Sequence, residues 1–108
     1  MIKARFVRKN DRIISFNIEG HSGYSEYGSD IVCSAVTAVS LSIGDGILEI
    51  LNLNPTYEMK DGFLNMNLSN LNENDLDNSQ VLMKTLLLGL QNIEKLYSKY
   101  LKVNVEEV

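Results

Sequence analysis

One histidine and one cysteine, twelve positions apart, are the residues of this chain best suited to covalent chemistry. His21 and Cys33 are the only residues of their types among the 108. A thiolate is a strong nucleophile, and a neighbouring imidazole can accept the thiol proton or form an ion pair with the thiolate. The two side chains therefore supply the minimum equipment for acyl transfer at a carbonyl group.

Each of the two residues also has a simpler interpretation. A lone cysteine at the apolar start of a helix is commonly a small buried hydrophobe, and a single histidine beside glycine is usually a loop residue. Zinc is disfavoured because two candidate ligands fall short of the three or four that a protein site needs. A redox-sensing thiol ranks last, since no second cysteine could resolve a sulfenic acid within the chain. We therefore expect no metal and no cofactor.

The elements before the cysteine are predicted from alternation and glycine content. Residues 2–7 and 13–18 are two predicted strands joined by a hairpin turn at Asn10-Asp11, and from residue 14 onward the second alternates apolar and polar side chains. Residues 20–29 follow with three glycines in ten positions, which predicts a loop with unusual backbone angles.

The cysteine falls at the start of a predicted helix over residues 31–51. Ser29 or Asp30 is the expected N-cap, and with Asp30 as the cap Cys33 is the third helical residue. Unpaired N–H groups and the positive helix end would then stabilise its thiolate and hold an oxyanion. The predicted buried stripe recurs every three or four residues and consists of Val32, Ala35 or Val36, Val39, Ile43, Ile47 and Ile50.

The second half of the chain repeats the order of two strands and a helix. Residues 57–59 and 63–68 flank Asp61-Gly62, a strong hairpin signal, and residues 80–97 have a helical apolar stripe. Residues 70–78 between them are polar and predicted to be loose, and residues 101–105 alternate as a candidate last strand. The order β-β-α-β-β-α(-β) predicts one α+β domain over residues 1–108, with a mainly antiparallel sheet and both helices on one face.

Charge and cysteine content restrict the partners and the compartment. The net charge is −4, and no Lys/Arg cluster exceeds those at residues 3–8 and 95–102, so direct nucleic-acid binding is disfavoured and a basic partner is favoured. A single cysteine and an N-terminus without a continuous apolar run predict the reducing cytoplasm. Polar and charged residues interrupt residues 31–53, so we expect no membrane span.

The sequence around the two reactive residues resembles a known family. The run GHSGYSEYGSDIVCSAVT, residues 20–37, closely resembles the signature of the ribosomal-processing cysteine protease family, Prp. That family shows Gly-His-Ala and then Gly-x-Asp-ϕ-Val-Cys-Ala-Ala-Val-Ser, where ϕ is apolar. The spacing matches, and the flanking hairpin and Leu-rich helical segment also look alike, so the resemblance covers nearly the whole chain. The sequence departs from the pattern at Ser22, Ser34 and Thr37, where Ala, Ala and Ser are commoner.

The resemblance implies a catalytic Cys33 with His21 as its base. Asp30 falls on a family position thought to support the site, although by itself it is most simply a helix cap, so a dyad and a triad both stay open. Thr37 keeps a hydroxyl one helical turn below Cys33, and its supporting role is implied to survive.

The glycine-rich segment is implied to shape or gate the site and to contact the substrate. Tyr24 and Tyr27 are either surface residues or an aromatic wall for the substrate. The remaining predicted members of this segment are Gly20, Ser22, Gly23 and Gly28.

The resemblance further implies the substrate. Members of the family are homodimers that remove a short N-terminal extension from the large-subunit ribosomal protein numbered twenty-seven. The cut follows a pair of aromatic residues and precedes a small one, with lysines beyond, so the expected partner has a basic, extended N-terminus. The alternative is a non-catalytic ribosomal-protein-binding or ribosome-assembly module in which Cys33 is merely packed.

Overall fold

The computed structural model describes residues 1–20 and 27–108, with the side chains of residues 27–30 left out of the description. Its elements follow the predicted order, and the candidate last strand is present. They are β1 (Ile2–Lys9), β2 (Arg12–Glu19), α1 (Tyr27–Asp45) with a π-helical turn (Gly46–Ile50), β3 (Thr56–Lys60), β4 (Phe63–Asn67), α2 (Glu73–Leu96) and β5 (Leu101–Glu107).

The five strands form one sheet in the order β3-β4-β2-β1-β5. The pairs β1–β2, β2–β4 and β3–β4 are antiparallel, whereas β5 runs parallel to β1. The sheet is therefore mixed but mainly antiparallel, and the predicted α+β class with both helices on one face is confirmed.

The two faces of the sheet differ because side chains alternate along each strand. In β1, Ile2, Ala4 and Phe6 are buried, while Lys3 and Arg5 between them are exposed. The apolar face meets the helices in a single core. The core includes Phe16 and Ile18 of β2, Leu64 and Met66 of β4, Val32 and Val36 of α1, and Met83, Leu86 and Leu90 of α2.

Both predicted hairpin turns are present. Asn10 and Asp11 have positive φ angles of 52° and 64°, the combination that a two-residue type I′ turn requires. Gly62 has a φ of 69°, which glycine adopts without a steric penalty. These short polar dipeptides therefore fix the registers of the two hairpins.

A buried glutamine joins α2 to an irregular point of the sheet. The β1–β2 register pairs Val7 with Ser15 but Arg8 with Ile13, so Ile14 is an extra residue in β2. At this bulge the Gln80 Oε1 accepts a hydrogen bond of 2.7 Å from the Ile13 N–H, and Nε2 donates one of 2.9 Å to the Ile13 carbonyl. One side chain thus satisfies both main-chain groups of a buried residue.

Both helices begin earlier than predicted. The first begins at Tyr27 instead of residue 31, and α2 begins at Glu73 instead of residue 80. The prediction of a loose stretch over residues 70–78 was therefore wrong. Its polar residues are helix-start residues: the Asn72 side chain accepts a hydrogen bond of 2.8 Å from the Asp75 N–H and caps α2.

The prediction that Ile50 is buried was also wrong, because the side chain is 79% exposed. The Leu51 N–H bonds to the Gly46 carbonyl at 3.0 Å, five residues back, and this wider π-helical turn rotates Ile50 away from the core. Among the described residues, one glycine of α1 and one of its π-helical turn lie against side chains of other elements. A Cβ on Gly44 would lie 3.6 Å from the Tyr57 Oη, and one on Gly46 would lie 3.2 Å from the Leu82 Cδ1.

The segment Ile31–Ile50 is long and apolar enough to cross a membrane by length and composition, with a hydropathy of 1.8. The interrupting polar and charged residues predict no membrane span here. In this fold the segment contributes Val32, Val36 and Ile47 to the core, and core helices share this composition. The expectation of no membrane association stays a prediction.

We predict that Gln80→Leu lowers the free energy of unfolding by about 2–4 kcal/mol, because it leaves the N–H and C=O of Ile13 buried without partners. The measurement is urea unfolding monitored by circular dichroism. Gln91→Leu is the matched control, since Gln91 lies on the same helix but is only half-buried. Equal stability of the two variants would show that the Gln80 hydrogen bonds contribute little.

Candidate active site

A cavity of about 230 Å³ lies between α1 and the β3–β4 hairpin, and Cys33 lines it. The cysteine is free and half-buried. Gly20 at the end of β2 and Thr37 on α1 line the same cavity, so three of the predicted site residues are together. The volume suits one side chain rather than a whole drug-sized ligand, for which pockets measure about 300–1,000 Å³.

Cys33 lies deeper in its helix than predicted. Because α1 begins at Tyr27, Cys33 is its seventh residue and not its third. Only the first four N–H groups of a helix lack intrahelical partners, and the dipole effect falls off within the first turn. The prediction that helix-start N–H groups surround the thiol was therefore wrong for this helix. The error arose because serine and aspartate, expected as caps, also occupy the first turn.

The interior of the cavity is mainly apolar, with one unusual hydroxyl. Val36, Ile18 and Leu64 contribute to its walls. Ser40 also lines it and is 1% exposed, and its Oγ has no hydrogen-bond partner among the described residues. Thr37 by contrast is exposed. An apolar cavity beside a thiol favours an apolar substrate side chain over a charged one.

The β3–β4 hairpin forms the opposite wall, through residues 59–64. The Asp61-Gly62 dipeptide predicts this hairpin but not its place in the site, because no local sequence pattern reports which helix a hairpin meets. Tyr57 attaches the hairpin to α1, where its ring lies against Gly44. Burial, and then the charge of Asp45, raise the pKa of Tyr57, so its phenol is neutral at pH 7. The Tyr57 hydroxyl donates a hydrogen bond of 3.8 Å to the Met59 Sδ.

Gly20 brings three segments of chain together at the edge of the cavity. Its φ is +112°, and a Cβ there would lie 2.4 Å from the Met1 carbonyl oxygen. Its N–H donates a hydrogen bond of 3.0 Å to the Gly62 carbonyl. The chain consequently leaves β2 toward residue 21 from a point fixed between the N-terminus and the hairpin tip.

The remaining predicted residues are not placed by the structure. His21, Ser22, Gly23 and Tyr24 lie outside the described residues. Tyr27, Gly28 and Asp30 belong to the first turn of α1, and their side chains are likewise outside the description. The assigned roles of these residues, and those of Gly20, Cys33 and Thr37, stay predictions.

No three His, Cys, Asp or Glu side chains come together as a metal-binding group within the described part of the chain. His21 is not in that part, so the expectation of no metal also stays a prediction.

The sequence model of the cysteine protease Prp family matches residues 1–102. The chain is 28% identical over 107 residues to the ribosomal processing cysteine protease Prp of Bacillus subtilis, with 95% of this chain and 96% of the relative covered. It is 26% identical over 98 residues to the protein of the same name from Staphylococcus aureus, with 91% and 92% covered.

Solved structures share the fold over the full length. Protein SMU.848 of Streptococcus mutans aligns with a TM-score of 0.90 and 27% identity, covering 100% of this chain and 96% of that one. The S. aureus protease Prp in complex with a covalently linked product peptide aligns with a TM-score of 0.84 and 26% identity, covering 98% and 100%.

Together with the α+β fold, these matches define the class of protein as that of the small cysteine proteases. The chain belongs to the cysteine protease Prp family, and the family resemblance found in the sequence is confirmed.

We predict that Gly20→Ala lowers the free energy of unfolding by at least about 2 kcal/mol, since the positive φ and the contact with the Met1 carbonyl both oppose a Cβ. Gly89→Ala is the control. Among the described residues a Cβ there, in a helix interior, meets only Val39 at 3.6 Å, so the substitution should raise stability by about 0.5–1 kcal/mol. Denaturant unfolding measures both, and an unchanged Gly20→Ala protein would contradict the account.

Proposed function

We propose that this protein is a cysteine endopeptidase that removes the N-terminal extension of the large-subunit ribosomal protein numbered twenty-seven. The observation that carries the proposal is Cys33 in an apolar cavity, in a chain that belongs to a cysteine protease family. The names of its relatives as ribosomal processing proteases support the substrate class. A net charge of −4 also favours approach by a basic ribosomal protein.

The proposed reaction proceeds through a thioester. His21 accepts the Cys33 thiol proton, and the thiolate attacks the scissile carbonyl carbon to form a tetrahedral oxyanion. As this collapses, the C–N bond breaks and His21 gives its proton to the leaving amine. His21 then takes a proton from water, whose oxygen attacks the thioester, and the acid product leaves as the thiol is restored. The covalently linked product peptide in the S. aureus relative supports a covalent route.

His21 must supply most of the thiol activation in this proposal. Cys33 lies beyond the first helical turn, so the unpaired N–H groups of the helix start are too far along the chain to stabilise its thiolate strongly. In the proposed site Thr37 supports Cys33 from one helical turn away, and Tyr24 and Tyr27 contact the aromatic pair of the substrate. Asp30 orients His21 if the site is a triad and takes no direct part if it is a dyad.

We predict that Cys33→Ala and His21→Ala each lower kcat by a factor of at least about 10³, because each removes an obligatory partner in proton transfer and attack. The assay incubates each protein with a peptide copying the extended N-terminus of the ribosomal protein, and mass spectrometry identifies the products. Asp30→Asn should lower kcat by about tenfold or more in a triad and little in a dyad.

Three outcomes separate the possible functions. A single Cys33-dependent cut after the aromatic pair supports the protease and its substrate together. Binding of the peptide without a cut by the unmodified protein favours a ribosomal-protein-binding module. Cleavage by Cys33→Ala at the unmodified rate would contradict the proposed nucleophile.

We also propose that the protein acts in the cytoplasm as a homodimer. A single cysteine suits a reducing compartment. Val81 and Leu88, two turns apart on α2, are 76% and 58% exposed, and an apolar stripe of this kind suits contact with a second copy.

We predict that Leu88→Lys shifts the protein from dimer to monomer, because it places a charge within this stripe. Val108→Lys is the control, since Val108 is 65% exposed at the chain end. Sedimentation equilibrium measures the mass of each variant. A dimer that is unaffected by Leu88→Lys would exclude this stripe as the interface.

A further inference from the structure

The two outer strands of the sheet differ in how their free edges are covered. β3 and β5 are the edge strands, and an edge presents main-chain N–H and C=O groups that another strand can pair with. Along a strand, the N–H and C=O groups of successive residues point alternately to its two sides. The hydrogen bonds to the neighbouring strand therefore identify the residues whose groups point outward.

The register of β4 identifies the free groups of β3. Around β4, the Leu68 N–H bonds to the Ile14 carbonyl at 2.7 Å, and the Gly62 carbonyl accepts from Gly20 at 3.0 Å. The main-chain N–H and C=O groups of even-numbered residues of β4 therefore point toward β2, and those of odd-numbered residues point toward β3. Their partners in β3 are Thr56, Glu58 and Lys60, which leaves the main-chain groups of Tyr57 and Met59 pointing outward.

The edge of β5 is partly covered by a side chain of α2. The Val108 N–H bonds to the Arg8 carbonyl at 2.9 Å, so even-numbered residues there face β1 and odd-numbered ones face outward. The outward N–H of Val103 already donates to the Glu94 Oε2 at 2.8 Å. Among the described residues no side chain covers the Tyr57 and Met59 main-chain groups in this way. The edge of β3 is therefore the more open of the two.

The open edge also leads into the site. Met59 lines the Cys33 cavity, together with the hairpin tip that follows it. A peptide with one side chain in this cavity has its own main chain beside the end of β3. A strand rises about 3.4 Å per residue, so the next two peptide residues reach from Met59 to Tyr57. Pro55, which precedes Thr56, has no N–H, so the part of the edge that can pair with a peptide ends there.

We propose that the outer edge of β3 binds the main chain of the substrate as a sixth strand of the sheet. The N–H groups of Tyr57 and Met59 donate to substrate carbonyls, and their carbonyls accept from substrate N–H groups, up to four hydrogen bonds in all. This inference rests on the proposed protease function and deepens it. It makes recognition depend on an extended main chain next to the cut, while contacts with the substrate side chains, in the cavity and elsewhere, select its sequence.

Tyr57 explains how an edge strand can serve as a rigid template. Its ring lies against Gly44 of α1, which has no side chain to displace it. The strand is thus held to the helix that carries Cys33, and its edge keeps a fixed position relative to the thiol. A template that moved independently of the nucleophile would not align the scissile bond.

The first test is a scan of N-methylated peptides against the unmodified protein. Each methyl group removes one substrate N–H, and the scan omits the scissile bond itself. Within one stretch of three peptide residues, we expect kcat/KM to fall about three- to tenfold when the first or the third N–H is methylated, and little when the middle one is. Cleavage of the parent peptide without this alternation would overturn the proposal. No cleavage of the parent peptide would instead overturn the protease function.

The second test removes an N–H from the protein. Met59→Pro eliminates one outward N–H, and proline is tolerated on edge strands where the N–H faces solvent. Met59→Ala is the reference, because it removes the same side chain from the cavity and keeps the N–H. Val105→Pro is the control on the other edge, since Val105 is also an outward-facing residue.

We expect Met59→Pro to have a kcat/KM about three- to tenfold below that of Met59→Ala, mainly through a higher KM. Val105→Pro should have the same kcat/KM as the unmodified protein. Circular dichroism establishes that each variant is folded. Equal values for Met59→Pro and Met59→Ala would overturn the proposal. Should Met59→Pro not fold, the N-methyl scan decides the matter by itself.

Discussion

The site depends on one close approach of main chain to main chain. At Gly20 the end of β2 passes so near the N-terminus that a Cβ would lie 2.4 Å from the Met1 carbonyl oxygen. The same residue donates its N–H to Gly62 at the tip of the β3–β4 hairpin. Since Gly20 also lines the cavity of Cys33, this contact fixes where the chain that continues to His21 leaves the sheet. A side chain at position 20 would separate the parts that the site brings together.

A second set of contacts holds the elements in register around that point. Gln80 bonds both main-chain groups of Ile13 where the β1–β2 ladder is irregular, so α2 cannot slide along the sheet. Tyr57 packs on Gly44 and joins the hairpin to α1. The nucleophile is on α1 and the opposite wall of the cavity is on the hairpin. Gly44, which would weaken an isolated helix, therefore helps to bring the two walls of the cavity together.

Much of the fold could be predicted because local signals specified it. Alternation identified the strands, Asn10-Asp11 and Asp61-Gly62 identified the hairpins, and the tail strand was a candidate from residues 101–105. Helix starts were missed because serine, asparagine and aspartate suit both cap and first-turn positions, so Tyr27 and Glu73 were not recognised as the starts. Ile50 was misplaced because a π-helical turn, invisible in the periodicity, changes the direction of its side chain.

The candidate site was predictable only in part, for a related reason. Cys33 and Thr37 share a helix face by spacing, and Gly20 stands beside the predicted base in sequence. The wall formed by Met59 and Phe63 comes from a hairpin distant in sequence, and Ser40 differs from other helix serines only in what surrounds it. Such contacts depend on tertiary packing, which periodicity does not report.

The central claim is that Cys33 is the nucleophile, and covalent trapping tests it most directly. The protein would be treated with a chloromethyl ketone of the peptide that ends at the cut, and peptide mapping would locate the adduct. The account predicts loss of cleavage in step with a single adduct on Cys33, formed much more slowly in His21→Ala. Complete loss of cleavage with Cys33 unmodified would contradict it.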